Sequence, residues 1–163
     1  MTNRHIPRCF GITLIELLVS IGVLMLLLGG LLISYNNYNQ SQVVKQTAQT
    51  VKANLRLAQS RAQSGVKPTS GCTELTGYTV NFTQSSYSIQ AQCTPEGLVG
   101  SITNVTLPTT TSFVPVPTTL IFGVLTRGLV NINNSVTITV SGFNHNYDIV
   151  VEVNGTITDG GFQ

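Results

Sequence analysis

The sequence predicts an α+β fold in which one long N-terminal helix packs on an antiparallel β-rich head. Three observations predict it: an apolar run over residues 11–33, a helical stripe of apolar residues after that run, and strand-like and turn-like composition from residue 71 onward. A chain of 163 residues has room for one domain of ordinary size. The predicted divisions are a leader at 1–11, a membrane-spanning helix at 12–33, an amphipathic continuation at 34–64 and the head at 65–163.

Charge is scarce and unevenly placed. Charged residues make up 9% of the chain, whereas a typical soluble domain has about 25%. Without the leader residues Arg4 and Arg8, six basic and six acidic residues remain, so the chain has no bulk electrostatic reason to bind nucleic acid. Residues 34–67 carry five basic and no acidic residues, and residues 68–163 carry one basic and five acidic. This asymmetry fits either head-to-helix stacking of subunits or two weakly charged solvated surfaces.

The apolar run has the length of a membrane span. Residues 12–33 form 22 residues of helix, about 33 Å long, which matches a hydrocarbon core of about 30 Å. A secretory signal peptide has a shorter apolar core and a cut site after it, whereas here the plausible cut site lies before the apolar run, so the helix would be retained. Arg4 and Arg8 keep the leader in the cytoplasm, so the head lies outside. Glu16, inside the run, is costly unless it has a partner.

The leader MTNRHIPRCFG, followed by ITLIE and an apolar helix, resembles the prepilin signal of type IV pilins and of type II secretion pseudopilins. The resemblance implies cleavage between Gly11 and Ile12 by a prepilin peptidase and N-methylation of Ile12. It also implies that the Glu16 carboxylate pairs with the N-terminal ammonium of an adjacent subunit and sets the axial register. The alternative is that Glu16 reaches the cytoplasmic interface in an ordinary signal anchor.

A second apolar pattern extends the helix beyond the membrane-length run. The spacing predicts one helix from near residue 12 to about residue 64, ended by Gly65 and Pro68. Residues 51–68 resemble, more loosely, the end of the long helix in the H-type minor pseudopilins. Apolar residues spaced by three and four form the face that we expect to pack on the head: Val44, Ala48, Val51, Leu55, Ala58 and Ala62.

The head is predicted to be entirely β. A Pro-rich loop is predicted at 108–119, turns at 83–86 and 143–146, and a two-residue hairpin at Asn154–Gly155. The last third again resembles the H-type pseudopilin head in pattern. Seven mostly antiparallel strands are expected, at 78–82, 87–92, 101–107, 120–124, 135–141, 147–153 and 156–158.

The chain has three cysteines, and Cys9 lies in the leader. In an exported head, Cys72 and Cys93 are most simply a disulfide. Closing a loop of that size contributes about 3 kcal/mol to stability by the chain-entropy estimate. Two buried free thiols are the alternative.

Catalytic chemistry finds little support. Outside the leader there is one histidine, His145, in a turn-rich string with Asp148 three residues later. A Ser-His-Asp arrangement assembles in space, so spacing leaves it open, but a turn histidine is the simpler interpretation. No clustered metal ligands and no glycine-rich phosphate loop are present. We therefore expect neither an enzyme nor a cofactor or metal.

The preferred interpretation is a structural subunit, favoured as a minor one, of a type IV pilus or a type II secretion pseudopilus. Its partners would be a prepilin peptidase, other pilin or pseudopilin subunits and inner-membrane lipid. It would cross the inner membrane once, with the head outside, and then enter a filament in the periplasm or at the cell surface. The alternatives are a membrane-tethered binding or enzymatic domain, and a DNA-uptake minor pilin that contacts phosphates weakly through Lys45, Lys52 and Arg56.

Overall fold

The computed structural model describes residues 12–163, with side chains throughout except at 30–34 and 101–102. It has an α+β fold, as predicted, with one helix, α1, over Leu14–Gln63. The chain divides into two compact units, Met1–Tyr38 and Asn39–Gln163. Eight strands follow the helix: β1 Glu74–Phe82, β2 Ser86–Thr94, β3 Gly97–Thr106, β4 Ser112–Phe113, β5 Leu120–Gly123, β6 Val136–Gly142, β7 His145–Val151 and β8 Ile157–Phe162.

A glycine ends α1, one residue before the predicted end. The N–H of Val66 donates to the carbonyl of Arg61 and the N–H of Gly65 to that of Ala62, each at 3.1 Å. This pair of bonds is a Schellman motif, which needs a left-handed residue at the position of Gly65. Gly65 has a φ of +61°, which glycine adopts without steric cost. The Ala62 carbonyl accepts a second bond, from the N–H of Leu125 at 3.0 Å.

The strands form two four-stranded antiparallel sheets. The first has the order β3-β2-β1-β5 and the second the order β4-β6-β7-β8. β4 lies inside the segment 108–119, which the sequence predicted to be a loop throughout, so that prediction was wrong over these two residues. Phe113 pairs with Val140 of β6 and is buried, which explains why a short strand forms among the prolines. Burial of one aromatic side chain outweighs the weak strand propensity of its neighbours.

The helix stripe and the inward faces of both sheets share one core. All six predicted stripe residues are buried, from Val44 to Ala62. They belong to one apolar cluster with the inward residues of β1, β2, β6 and β7. Buried side chains alternate with less buried ones along β2, β6 and β7, whereas in β1 all four residues from Gly77 to Val80 are buried. The buried inward side chains of these strands are Tyr78, Val80, Tyr87, Ile89, Ala91, Ile138, Val140, Ile149 and Val151.

Two turns differ from their predictions. The turn predicted at 143–146 has only two central residues, since Gly142 pairs with His145. Both central residues, Phe143 and Asn144, have positive φ, at 52° and 62°. A two-residue hairpin needs this backbone because its twist matches that of the flanking strands. His145 therefore begins β7 instead of lying in the turn.

The predicted two-residue hairpin at Asn154–Gly155 is a three-residue loop, so that prediction was wrong in length. The N–H of Glu152 donates to the carbonyl of Thr156, and the N–H of Gly155 donates to the carbonyl of Glu152, both at 2.9 Å. Gly155 then takes a φ of +86°. This is the pattern of a turn followed by a glycine bulge, the next commonest hairpin after the two-residue type.

Candidate assembly segment and head surface

The first part of α1 presents apolar side chains that no described part of the structure buries. All described side chains from Ile12 to residue 29 are exposed, with Leu26 at 81%. The stripe farther along the same helix is 0–1% exposed. Burying one large apolar side chain contributes about 1.5–3 kcal/mol. A continuous exposed apolar segment of this kind is typical of a protein–protein or membrane interaction site.

Glu16 takes part in the cap of the helix. α1 begins directly after Thr13, whose hydroxyl oxygen accepts a hydrogen bond from the N–H of Glu16 at 3.3 Å. The spacing of Thr13 and Glu16 is that of a capping box, a signal that the sequence analysis missed. A carboxylate in the first turn is also favoured by the helix dipole. This bond uses the backbone N–H of Glu16 and not its carboxylate, so a test of an assembly role must separate the charge of Glu16 from its position in the helix cap.

The predicted processing site straddles the edge of the described chain. The leader and Gly11 lie outside the described residues, and Ile12, the first described residue, is exposed. Over the part of the chain that the structure describes, no helix combines the length and the hydropathy required of a membrane span. The predicted span at 12–33 remains a prediction.

Two of the three cations predicted for phosphate contact are engaged within the chain. The ammonium of Lys52 lies 2.5 Å from a carboxylate oxygen of Asp159 in β8. The guanidinium of Arg56 donates to the carbonyl of Ile157 in the same strand at 3.4 Å. In this ion pair the Asp159 side chain is 42% exposed and the Lys52 side chain is 14% exposed. Exposed ion pairs contribute about 0.2–1 kcal/mol to the stability of the fold. A nucleic-acid phosphate would have to compete with these contacts.

Cys72 and Cys93 form a disulfide, with 5.4 Å between their Cα atoms, which decides against the alternative of two free thiols. Beside it, Glu96 accepts from the N–H of Thr73 at 3.1 and 3.2 Å and from its hydroxyl. The Thr73 hydroxyl, followed by its N–H, holds the pKa of Glu96 below the usual range. Lys67 donates to the Thr73 carbonyl at 2.5 Å. The segment between α1 and β1 is thus held by the disulfide and by the hydrogen bonds of Thr73.

His145 and Asp148 do not form a catalytic pair. Three residues apart in β7, they point to opposite faces of the sheet. His145 makes an edge contact with Phe162, whereas Asp148 accepts from the hydroxyl of Thr139 at 2.7 Å. Glu152 lies beyond β7 and accepts from the side chain of Asn154 at 3.0 Å. Within residues 12–163, no group of three or more His, Cys, Asp or Glu side chains is placed to hold a metal ion.

Two cavities flank the end of α1. One, of about 490 Å³, is lined by polar groups that include Gln59, Arg127 and Gly155. The side-chain amide of Gln59 donates to the carbonyls of Arg127 and Gly155, both at 2.7 Å, and so joins two loops. The other cavity, of about 400 Å³, is lined by Arg61 and Lys67 together with apolar side chains. Neither cavity was predicted, because their walls come from residues far apart in the sequence.

The α+β fold, with a long N-terminal helix and antiparallel sheets, is consistent with pilin architecture. Residues 6–32 match the model of the prokaryotic N-terminal methylation motif. This match supports the resemblance to the type IV pilin-like and pseudopilin family, and it implies a precursor that a prepilin peptidase processes. It suggests a structural protein rather than an enzyme, with other pilins as partners. No curated protein and no solved structure matches the chain.

Proposed function

We propose that this chain is a structural subunit, and a minor one, of a type IV pilus or a type II secretion pseudopilus. The main support for this proposal is that the methylation motif and the exposed apolar part of α1 occupy the same residues. The methylation motif at 6–32 overlaps the part of α1 whose apolar side chains are exposed, whereas the stripe from Val44 onward is buried in the chain's own core. A helix with these two parts suits a subunit that contributes its first part to a shared bundle and its second part to its own head.

Assembly would follow from processing. Cleavage between Gly11 and Ile12 creates a new ammonium at Ile12, which is then methylated. Glu16 lies four residues away, in the first turn of α1. Two opposite charges in a medium of low dielectric are costly apart and much less so together. Pairing of Glu16 with the Ile12 ammonium of a neighbouring subunit would therefore set the axial register of the helices.

The position in the cell follows from the same segment. Before assembly, residues 12–33 would anchor the subunit in the inner membrane, in contact with lipid, with the head outside. Afterwards the subunit would stand in a filament in the periplasm or at the cell surface. Within the family we favour the H-type minor pseudopilin group, on the pattern of residues 51–68 and of the last third of the chain.

The decisive test separates the charge of Glu16 from its part in the helix cap. Glu16→Gln removes the charge but keeps a residue that suits the third position of a capping box. Thr13→Ala removes the capping hydroxyl and keeps the carboxylate, at a cost of about 1 kcal/mol. Each variant is expressed in cells that lack the native copy, and membrane and filament fractions are compared by immunoblotting.

We expect Glu16→Gln to remain in the membrane and to be lost from filaments, and Thr13→Ala to be incorporated. Normal incorporation of Glu16→Gln would contradict the proposed charge pairing and favour a helix that only tethers the head. Loss of both variants would assign the defect to the helix cap.

Processing is tested by mass spectrometry of the mature N-terminus. The expected result is a chain that begins at Ile12 and carries one added methyl group. A chain that retains Met1, or one cut well beyond Ile12, would overturn the prepilin assignment. As a matched control, Gly11→Leu should leave the precursor uncut while the protein remains in the membrane.

A further inference from the structure

The cavity beside the end of α1 has cationic and apolar walls. Arg61 lies in the last turn of the helix, and Lys67 lies just beyond it. Tyr78 of β1 contributes to the lining, and its hydroxyl donates to the carbonyl of Val66. The apolar part of the wall is formed by Val66, Pro68 and Val99.

Neither of the two cations that line this cavity has a carboxylate partner among the described side chains. Among residues 12–163, the salt bridge present is that of Lys52 with Asp159, so neither Arg61 nor Lys67 is in one. Lys67 donates to the Thr73 carbonyl, which leaves two of its three N–H groups. The carboxylate of Glu96, the acid whose pKa Lys67 helps to lower, is bonded to Thr73.

The negative end of the dipole of α1 is weakened beside this cavity. The negative end of a helix dipole resides on its last carbonyl groups when they are unsatisfied. Here the carbonyls of Arg61 and Ala62 accept hydrogen bonds from Val66, Gly65 and Leu125. The charged side chains that line the cavity are those of Arg61 and Lys67.

We propose that this cavity binds a carboxylate attached to a small apolar group, the chemistry of the C-terminal residue of a peptide chain. Two cations that line one cavity repel each other, and an anion between them relieves that repulsion. A guanidinium holds a carboxylate with two parallel hydrogen bonds, and the lysine adds a second, adaptable donor. The wall of Val66, Pro68 and Val99 accommodates an aliphatic side chain and distinguishes such a ligand from an inorganic anion. The head would in this way take up the end of a partner or cargo polypeptide.

The inference does not depend on filament assembly. The cavity lies within the compact unit Asn39–Gln163, and its residues lie outside the methylation motif. A subunit that failed to assemble would still bind the ligand, and an assembled subunit without the site would not.

The test uses the full processed chain in detergent micelles, labelled with ¹⁵N and titrated by NMR. The probes are N-acetyl-L-leucine, its uncharged counterpart N-acetyl-L-leucinamide, N-acetyl-L-aspartic acid amide as a side-chain carboxylate, and inorganic phosphate. We expect saturable shifts of the amides of Val66, Lys67 and Gly100 with N-acetyl-L-leucine. Binding of the leucinamide should be at least about tenfold weaker, because it lacks the charged hydrogen bonds.

Variants identify the site. Arg61→Gln should weaken binding of N-acetyl-L-leucine by about tenfold, and Arg61→Lys should retain part of it. Lys45→Gln, at a cation outside this cavity, is the matched control and should leave binding unchanged. Thermal melts of each variant show whether a loss of binding reflects unfolding.

Equal binding of the acid and the amide, or unchanged binding in Arg61→Gln, would overturn the proposal. Tighter binding of the aspartic acid amide would contradict the terminal carboxylate in favour of an acidic side chain. Phosphate binding as tight as that of N-acetyl-L-leucine would contradict the role of the apolar wall.

Discussion

Gly155→Ala should be among the most destabilising single substitutions in the head. Gly155 is buried in the loop between β7 and β8, with a φ of +86°. A Cβ at this position would lie well inside van der Waals contact of the Arg127 carbonyl oxygen and of the Gln59 side-chain nitrogen. That nitrogen holds both loops, through its hydrogen bonds to the carbonyls of Arg127 and Gly155.

The expected decrease in the free energy of unfolding for Gly155→Ala is the sum of three contributions. A left-handed backbone costs a residue with a Cβ about 1 kcal/mol. Displacing a packed backbone segment costs about 2 kcal/mol. Breaking one of the two Gln59 hydrogen bonds costs about 1 kcal/mol. Together they reduce the free energy of unfolding by about 4 kcal/mol, a large part of the 5–15 kcal/mol typical of a whole domain.

Gly161 provides the matched control. It has the same φ of +86°, but a Cβ there would meet no atom within 4 Å. Gly161→Ala should therefore cost only the backbone contribution, about 1 kcal/mol. In thermal melts followed by circular dichroism, we expect Tm to fall by about 16 °C for Gly155→Ala and about 4 °C for Gly161→Ala. Equal losses in the two variants would refute the steric reasoning and leave the backbone angle as the whole effect.

Three further predictions concern the ties between segments. Asp159→Asn should lower the free energy of unfolding by about 0.5 kcal/mol through loss of the Lys52 pair, and the difference from the native chain in urea titrations should shrink at 1 M salt. Replacing both cysteines of the disulfide with alanine should lower the free energy of unfolding by about 3 kcal/mol. A reductant should then have no further effect on urea unfolding of this variant. Thr73→Val should raise the pKa of Glu96 towards its ordinary value, as followed by carboxyl NMR. Because the folded-state pKa of Glu96 lies below the unfolded one, its contribution is present above the unfolded pKa and is lost as pH falls through the folded value, so Thr73→Val should flatten that acid-side decline.

Much of the fold was accessible from local pattern. The end of α1 could be placed because Gly65 and Pro68 interrupt a helical spacing. The inward faces of the strands could be placed because apolar side chains recur at every second residue. The candidate assembly segment was also apparent, since one carboxylate in an apolar run stands out in the sequence alone. The part played by Thr13 was missed, although its spacing to Glu16 was available as a capping signal.

The remainder required residues that are distant along the chain. β4 forms because Phe113 reaches the core beside Val140, and no local propensity distinguishes it from the surrounding loop. The hairpin at Gly155 gained a residue because its length depends on which residues of β7 and β8 pair. Turn composition constrains the backbone of a loop but leaves the strand register open.

The sequence by itself determined the periodic features: the helix, its apolar faces, the alternation of the strands and the position of the methylation motif. These depend on neighbours two to four residues apart, which the order of residues specifies directly. The tertiary structure alone decided the division into two sheets, the pairing of Lys52 with Asp159 and the meeting of Arg61 and Lys67 at one cavity. Such contacts arise only when the whole core has packed, because a separation of 107 residues leaves no trace in local pattern.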